Sequence, residues 1–379
     1  HDSFGAGDFT ERIKRCTPVF TYPSITVGGC GNSQMGPEKR FEFRDDYSYL
    51  RTGWGGTHQW KTGVDYSYIP FEADNLGAYY GNFTFPKDKP YDANDKSTWP
   101  TQFNQTRPRY ADVPTQHFAA YVQDDWEAGR NLTLNLGLRY DIQKGSFNEN
   151  LPELQKKIEA KMGSGLGYPA GTDWYNTWYK DNEKRGDRNN FGPRVGFAWD
   201  PTASGGLNVH AGYGIFYDNI RTLMNFDEIW WPQMQQIVIS NPPFPDALGG
   251  RPRSDFLLTP NIYVLDRKFR NAWAHQFNAG MTKQLARNLA VTADVTMTWR
   301  YDDRDTTWVR DVNLPDPVTK VKPYPQFARV VMYQSSTNNT YKALLVKIDK
   351  RLSNRHQFMV SYTLMKSDDS FLTNLLGDF

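Results

Sequence analysis

Long apolar runs are missing from this chain. Only 39% of its 379 residues are hydrophobic, and no stretch of about 18 consecutive apolar residues occurs, so a helical membrane protein is excluded. An excess of charge of either sign is missing too. Lys and Arg number 44 against 42 Asp and Glu, mixed along the sequence, which leaves no basic stripe for nucleic acid and no charged tail. Histidine is scarce, and none of His1, His58, His117, His210, His275 and His356 stands in an HExxH or beside a GxSxG. Enzymatic chemistry therefore has no local signature, and only a Ser, His and Asp brought together from separate segments would supply one. The glycine pairs at 53–56 and 205–206 precede no helical pattern, so they read as turns and cradle no phosphate.

Cysteine is nearly absent as well. Cys16 and Cys30 lie in a segment containing Gly, Pro and Ser, without the His, Asp or Glu pattern of a zinc site. The pair is expected to form a loop disulfide in an oxidising compartment, with two free thiols as the alternative. No signal peptide is visible, and the chain begins at His1, which reads as a mature or partial chain.

What is abundant is aromatic side chains and alternation. Residues 131–142, NLTLNLGLRYDI, place Leu132, Leu134, Leu136, Leu138, Tyr140 and Ile142 on every second position. Successive strand residues point to opposite faces, so this segment is a strand with one apolar and one polar side. The same pattern predicts hairpins from 41–52 with 58–69 and from 117–126 with 131–142. It predicts two more from 191–200 with 207–217 and from 273–283 with 289–301, and another from 341–351 with 357–365. A weaker pair is expected at 77–85 and 101–108, giving about twelve strands.

The connections alternate as regularly as the residues do. Tight turns at 53–57, 127–130, 201–206, 284–288 and 352–356 separate the members of hairpins, while long polar segments at 144–190, 219–267 and 302–339 separate one hairpin from the next. A soluble sandwich has no reason to sort its loops by end. A transmembrane antiparallel β-barrel does, with short turns at one rim and long loops at the other. Aromatic residues near strand ends, such as Trp126, Tyr140, Trp199 and Tyr213, suit the membrane interface. Because residues 366–379 lack the alternating finish of a closing strand, either further strands beyond this segment or another chain are expected to complete the wall.

Several ordered blocks carry a family resemblance. FAAYVQDDW at 118–126, the strand at 131–141, NFGPRVGFAWD at 190–200, GYGIFYD at 212–218 and YKALLVKIDKRLSNRHQFMVSYTL at 341–364 resemble the barrel of TonB-dependent outer-membrane transporters, Oar-like branch. The resemblance covers roughly residues 41–370 and implies a barrel of about 22 strands. It also implies a plug domain inside the barrel, coupling to a TonB-type protein, and residence in the bacterial outer membrane as a multi-pass barrel in contact with lipid. The whole chain would then be a partial barrel domain, with 1–38 as an extracellular loop and the plug outside it. Uptake of a solute is one expectation. Display of long loops as a structural or adhesive surface protein with protein partners is the other. A soluble glycan binder is a third reading, which extraction of the protein from membranes without detergent would favour.

Candidate sites follow from residue chemistry. Tyr168, Trp174, Tyr175, Trp178 and Tyr179 set aromatic rings among Asp, Asn and Lys, as does the Trp230-Trp231 pair; such loops suit a sugar or peptide, or else pack on one another. Arg139, Asp141, Arg194, Asp294, Arg300 and Lys347 are expected on the lumen-facing side, against a plug or along a solute path. Asp302, Asp303 and Asp305 supply closely spaced carboxylates but not the Gly and distal Glu of an EF-hand, so no metal site and no cofactor are expected.

Overall fold

The computed structural model describes residues 14, 16–29, 34–35, 39–162, 184–220, 222–304 and 311–369. Ten strands form one antiparallel sheet in strict chain order. They are β1 (Phe41–Gly53), β2 (Gly56–Ile69), β3 (Thr115–Glu127), β4 (Leu132–Lys144) and β5 (Asn190–Trp199), followed by β6 (Leu207–Tyr217), β7 (Trp273–Ala286), β8 (Leu289–Arg304), β9 (Ser335–Ser353) and β10 (His356–Asp369). Each pairs only with its sequence neighbours, and β1 and β10 are not paired with each other, so the sheet does not close on itself among the described residues. Lengths run from 10 to 19 residues, enough to cross a bilayer, which takes about 9–11 residues when tilted.

Turn chemistry fixes the register at the short-turn end. Gly53 pairs with Gly56, and the two residues between them, Trp54 and Gly55, have φ of 53° and 86°. Two consecutive positive φ values match the right-handed strand twist. Asn354 and Arg355, at φ 50° and 67°, repeat this between β9 and β10.

The register then lines up one apolar surface across the whole sheet. Val122 faces Leu138, Leu136 faces Val195, Val195 faces Tyr213, Tyr213 faces Phe277, Phe277 faces Met297 and Val346 faces Tyr362. Among the described residues no second layer covers it: Leu136 is 45% exposed, Val195 50% and Tyr362 64%. An apolar surface of that extent is unstable in water and belongs against lipid.

Ten wall strands stand where about twelve are expected. The segments 77–85 and 101–108 contribute only Asn82–Thr84 and Gln102–Gln105, which pair with each other outside the wall. At three and four residues they are too short to span. Phe83 and Phe103 are buried with their rings 4.7 Å apart, in a core rather than in an outward-facing row.

That core belongs to a folded cap made by the long loops, all at the end opposite the tight turns. Five short strands, including Val19–Thr21 and Ile237–Ser240, form one of its sheets. Helix α1 (Leu151–Met162) buries Leu151, Leu154 and Ile158, one face of a 3.6-residue period. It packs with Phe226, Ile229 and Trp230 of α2 (Thr222–Trp230) and with Ile262, Phe327 and Val330. Cys16 is buried at the start of the cap; Cys30 lies outside the described residues.

Candidate functional site

Parity decides which side chains share the polar face of the wall. Asp65 of β2 lies opposite Ala119, Tyr121 of β3 opposite Arg139, and Ala119 opposite Asp141, so charged groups from four strands converge there. Arg139 donates from Nε to Asp141 at 3.0 Å and from Nη1 to Asp65 at 3.1 Å. His117 Nε2 lies 3.1 Å from Asp141. Arg44 donates to Asp46 at 2.6 Å, and the Tyr121 hydroxyl donates to the same carboxylate at 2.6 Å. The result is a chain of alternating charges along the wall, in which Asp46 and Asp141 each meet two partners and Asp65 lies between Arg139 and Arg44, the latter 3.6 Å away.

The other expected polar-face residues occupy the same side further round. Arg194 lies over the ring of Phe216 at 4.5 Å. Asp294 pairs with His210 at 3.2 Å, and Lys347 with Asp349 at 3.3 Å. Arg300 sits at the long-loop end of β8, opposite Ala274 and Asn339. His117, Asp65, Arg44, Asp46 and Tyr121 are missed by single-strand reading. The signal that finds them is the shared parity of neighbouring strands once the register is known.

Glycine makes room for this network. A Cβ on Gly63 would come 2.4 Å from Asp46 Oδ1 and 2.8 Å from the Asp45 carbonyl. Gly63→Ala is therefore expected to cost about 1–3 kcal/mol through displacement of Asp46 and Tyr121. Denaturant unfolding of the purified protein would show this, and an unchanged midpoint would contradict it.

A second ionisable pair sits on the apolar face, near the tight turns. His58 Nδ1 and Asp124 Oδ2 are 2.7 Å apart, and both residues are 7% exposed. The His58 ring stacks on Trp126 at 5.2 Å and near Trp60 at 6.2 Å. Two indoles thus cover a polar pair that lipid could not solvate.

In the cap, Trp230 is buried with the Arg109 guanidinium 4.7 Å from its ring centroid, and Trp231 stacks on Tyr263 at 5.0 Å. Both rings hold loops together. Burial pushes Arg109 down to about 10, since among the described residues it has no carboxylate partner. Tyr168, Trp174, Tyr175, Trp178 and Tyr179 lie outside the described residues, as does Asp305. Asp302 accepts from Trp273 Nε1 at 3.0 Å and from Arg270 at 3.0 Å, and no group of carboxylates or imidazoles among the described residues could hold a metal.

Asp227 gives the cap a pH dependence. Burial raises its carboxyl above the ordinary value, opposed by hydrogen bonds from Tyr333 and Trp231; the Tyr333 hydroxyl donates at 2.6 Å. A raised carboxyl binds its proton more tightly folded than unfolded. Its contribution is complete below the ordinary carboxylate value and is lost as pH rises through the raised one. Asp227→Asn is expected to flatten the decline in cap stability as pH rises above the ordinary carboxylate range, followed by tryptophan fluorescence on heating. An unchanged slope would assign the decline to other groups.

Comparison with known proteins gives three findings. The profile of the family described as Outer membrane beta barrel domain matches residues 2–377. The chain is 26% identical over 227 residues to the TonB-dependent transporter Oar of Myxococcus xanthus, covering 55% of this chain and 17% of Oar. Among solved structures, the outer membrane transporter YddB of Escherichia coli superimposes with a TM-score of 0.61 at 14% identity, over 93% of this chain and 38% of YddB. The second likeness is one of fold. The chain thus spans well under half the length of either relative.

Proposed function

The chain belongs to the outer membrane beta barrel domain family, and on that premise we propose that it is part of the barrel wall of a receptor that takes up a solute through a plugged barrel, driven by a TonB-type protein. The observation that carries the reading is the contrast between the two faces of one sheet. One face is a continuous exposed belt of Leu, Val, Phe and Tyr, fit for lipid; the other is a hydrogen-bonded network of Arg, Asp and His, fit for a wet interior. In this reading Arg139, Asp141, Arg194, Asp294, Arg300 and Lys347 face the lumen, where a plug would contact them, and the cap admits solute from outside. Cys16 and Cys30 would close a disulfide at the cap's edge.

Uptake is tested by comparing cells with and without the full-length gene for depletion of solutes from a defined medium. The expected result is depletion of particular solutes only by cells carrying the gene, abolished when the proton gradient is collapsed. Identical depletion in both strains would overturn the reading. A second reading, display of the cap to protein partners on other cells, is supported by the cap's own hydrophobic cores, which hold it in one shape. Loss of cell–cell adhesion on deletion, without any change in depletion, would favour that reading.

A further inference from the structure

The tight-turn end of the wall holds a cavity that the network above does not use. Three turns are stitched together there by backbone bonds: Gln284 N donates to Gly206 O at 2.8 Å, and Arg351 N to Asn288 O at 2.9 Å. The cavity between them measures about 350 Å³ and is lined by Asn208, Arg287, Thr292, Lys347, Asp349 and Arg351, among others. Lys347, Asp349, Thr292 and Asn208 lie on the polar face by register: Thr292 faces Lys347 and Thr282, and Asn208 faces Thr282.

Charge is unbalanced in this cavity. Three cations line it against one carboxylate, a net of two positive charges. Lys347 is 3.3 Å from Asp349. Among the described residues the Arg287 and Arg351 side chains make no ion pair and no hydrogen bond, although the Arg351–Asn288 backbone bond brings the end of β9 beside the turn that carries Arg287. Guanidinium groups are rigid forks that match the paired oxygens of carboxylates and phosphates. Two such exposed forks lining one polar cavity can both reach an anion held in it.

We propose that this cavity is a binding site for a small polyanion bearing carboxylate or phosphate groups, with Arg287 and Arg351 as bidentate donors and Lys347 as a third charge. Thr292 and Asn208 complete the lining with groups that suit ligand hydroxyls. The proposal rests on the uptake reading for its meaning: at the tight-turn rim, the site would hold an anionic solute on the exit side of the path.

The test uses full-length protein purified in neutral detergent and titrated calorimetrically with tricarballylate, as the carboxylate probe, and inorganic pyrophosphate, as the phosphate probe. At least one should bind saturably, more weakly as salt rises. The double variant Arg287→Gln with Arg351→Gln should weaken that binding by about tenfold or more, while Arg130→Ala, in a different turn, leaves it unchanged. Heat-dependent gel mobility confirms that each variant is folded; should the double variant fail, the singles Arg287→Gln and Arg351→Gln replace it, each expected to weaken binding. No saturable binding of either probe to the wild type overturns the site, as does binding that the variants do not change. Failure of uptake is scored separately: binding without energised depletion would leave the site standing and remove its role in transport.

Discussion

Replacing Glu228 by alanine is expected to open the cap while leaving the wall intact. The Glu228 side chain is fully buried and accepts from Arg185 Nη1 at 2.8 and 3.0 Å, from Asn148 Nδ2 at 2.8 Å and from the Leu265 amide at 3.1 Å. Removing the carboxylate breaks an ion pair whose guanidinium is itself buried, and breaking a buried pair on one side costs about 3–5 kcal/mol. These bonds tie one long loop, carrying Asn148 and Arg185, to another, carrying Glu228 and Leu265, so the loss falls on the cap as a unit. External protease on whole cells should cleave Glu228→Ala within the loops at a concentration that spares the wild type, while heat-dependent gel mobility of the wall stays unchanged. Glu228→Met combined with Arg185→Met should recover much of the resistance, because removing both charges leaves neither uncompensated. Equal resistance of Glu228→Ala and wild type would show that the cap does not depend on this pair.

The second large effect separates two adjacent residues. Val295 lies on the apolar face opposite Ala279 and Leu344, and Thr296 lies on the polar face opposite Asn278 and Ala343. Arginine at 295 would place a charge in the lipid belt with no acidic residue opposite it, at a cost of about 2–4 kcal/mol near the bilayer midplane. Arginine at 296 projects into water, and is expected to change stability by less than about 0.5 kcal/mol. Urea titration of the protein folded into vesicles would compare them. If the two substitutions cost the same, the assignment of faces is wrong.

Such a test is possible because the wall was legible before the structure. Leu207–Tyr217 coincides with the alternating run that predicts it, and the tight turns fall where Gly and Asn mark them. Single-strand reading also placed Arg139 and Asp141 on the face opposite Leu138 and Tyr140. It could not tell which residue of a neighbouring strand each would meet, since a shift of one position reverses every pairing. His117 and Asp65 therefore entered the network only through register. The cap misled more deeply. Phe83 and Phe103 sit in short apolar stretches that look like weak wall strands, and only the packing of separate loops gives them a core.

The sequence by itself determined the period of alternation, the sorting of short turns from long loops and hence the two-faced antiparallel sheet, because these arise between residues adjacent or next-adjacent in the chain. Tertiary structure alone decided that the loops fold into a cap stapled by Arg185 and Glu228 and that the charges of four strands form one network. It also decided that Arg287, in one turn, and Arg351, near the end of β9, share a cavity. Contacts between residues dozens of positions apart depend on which surfaces bury one another, and that choice is made by the whole chain at once.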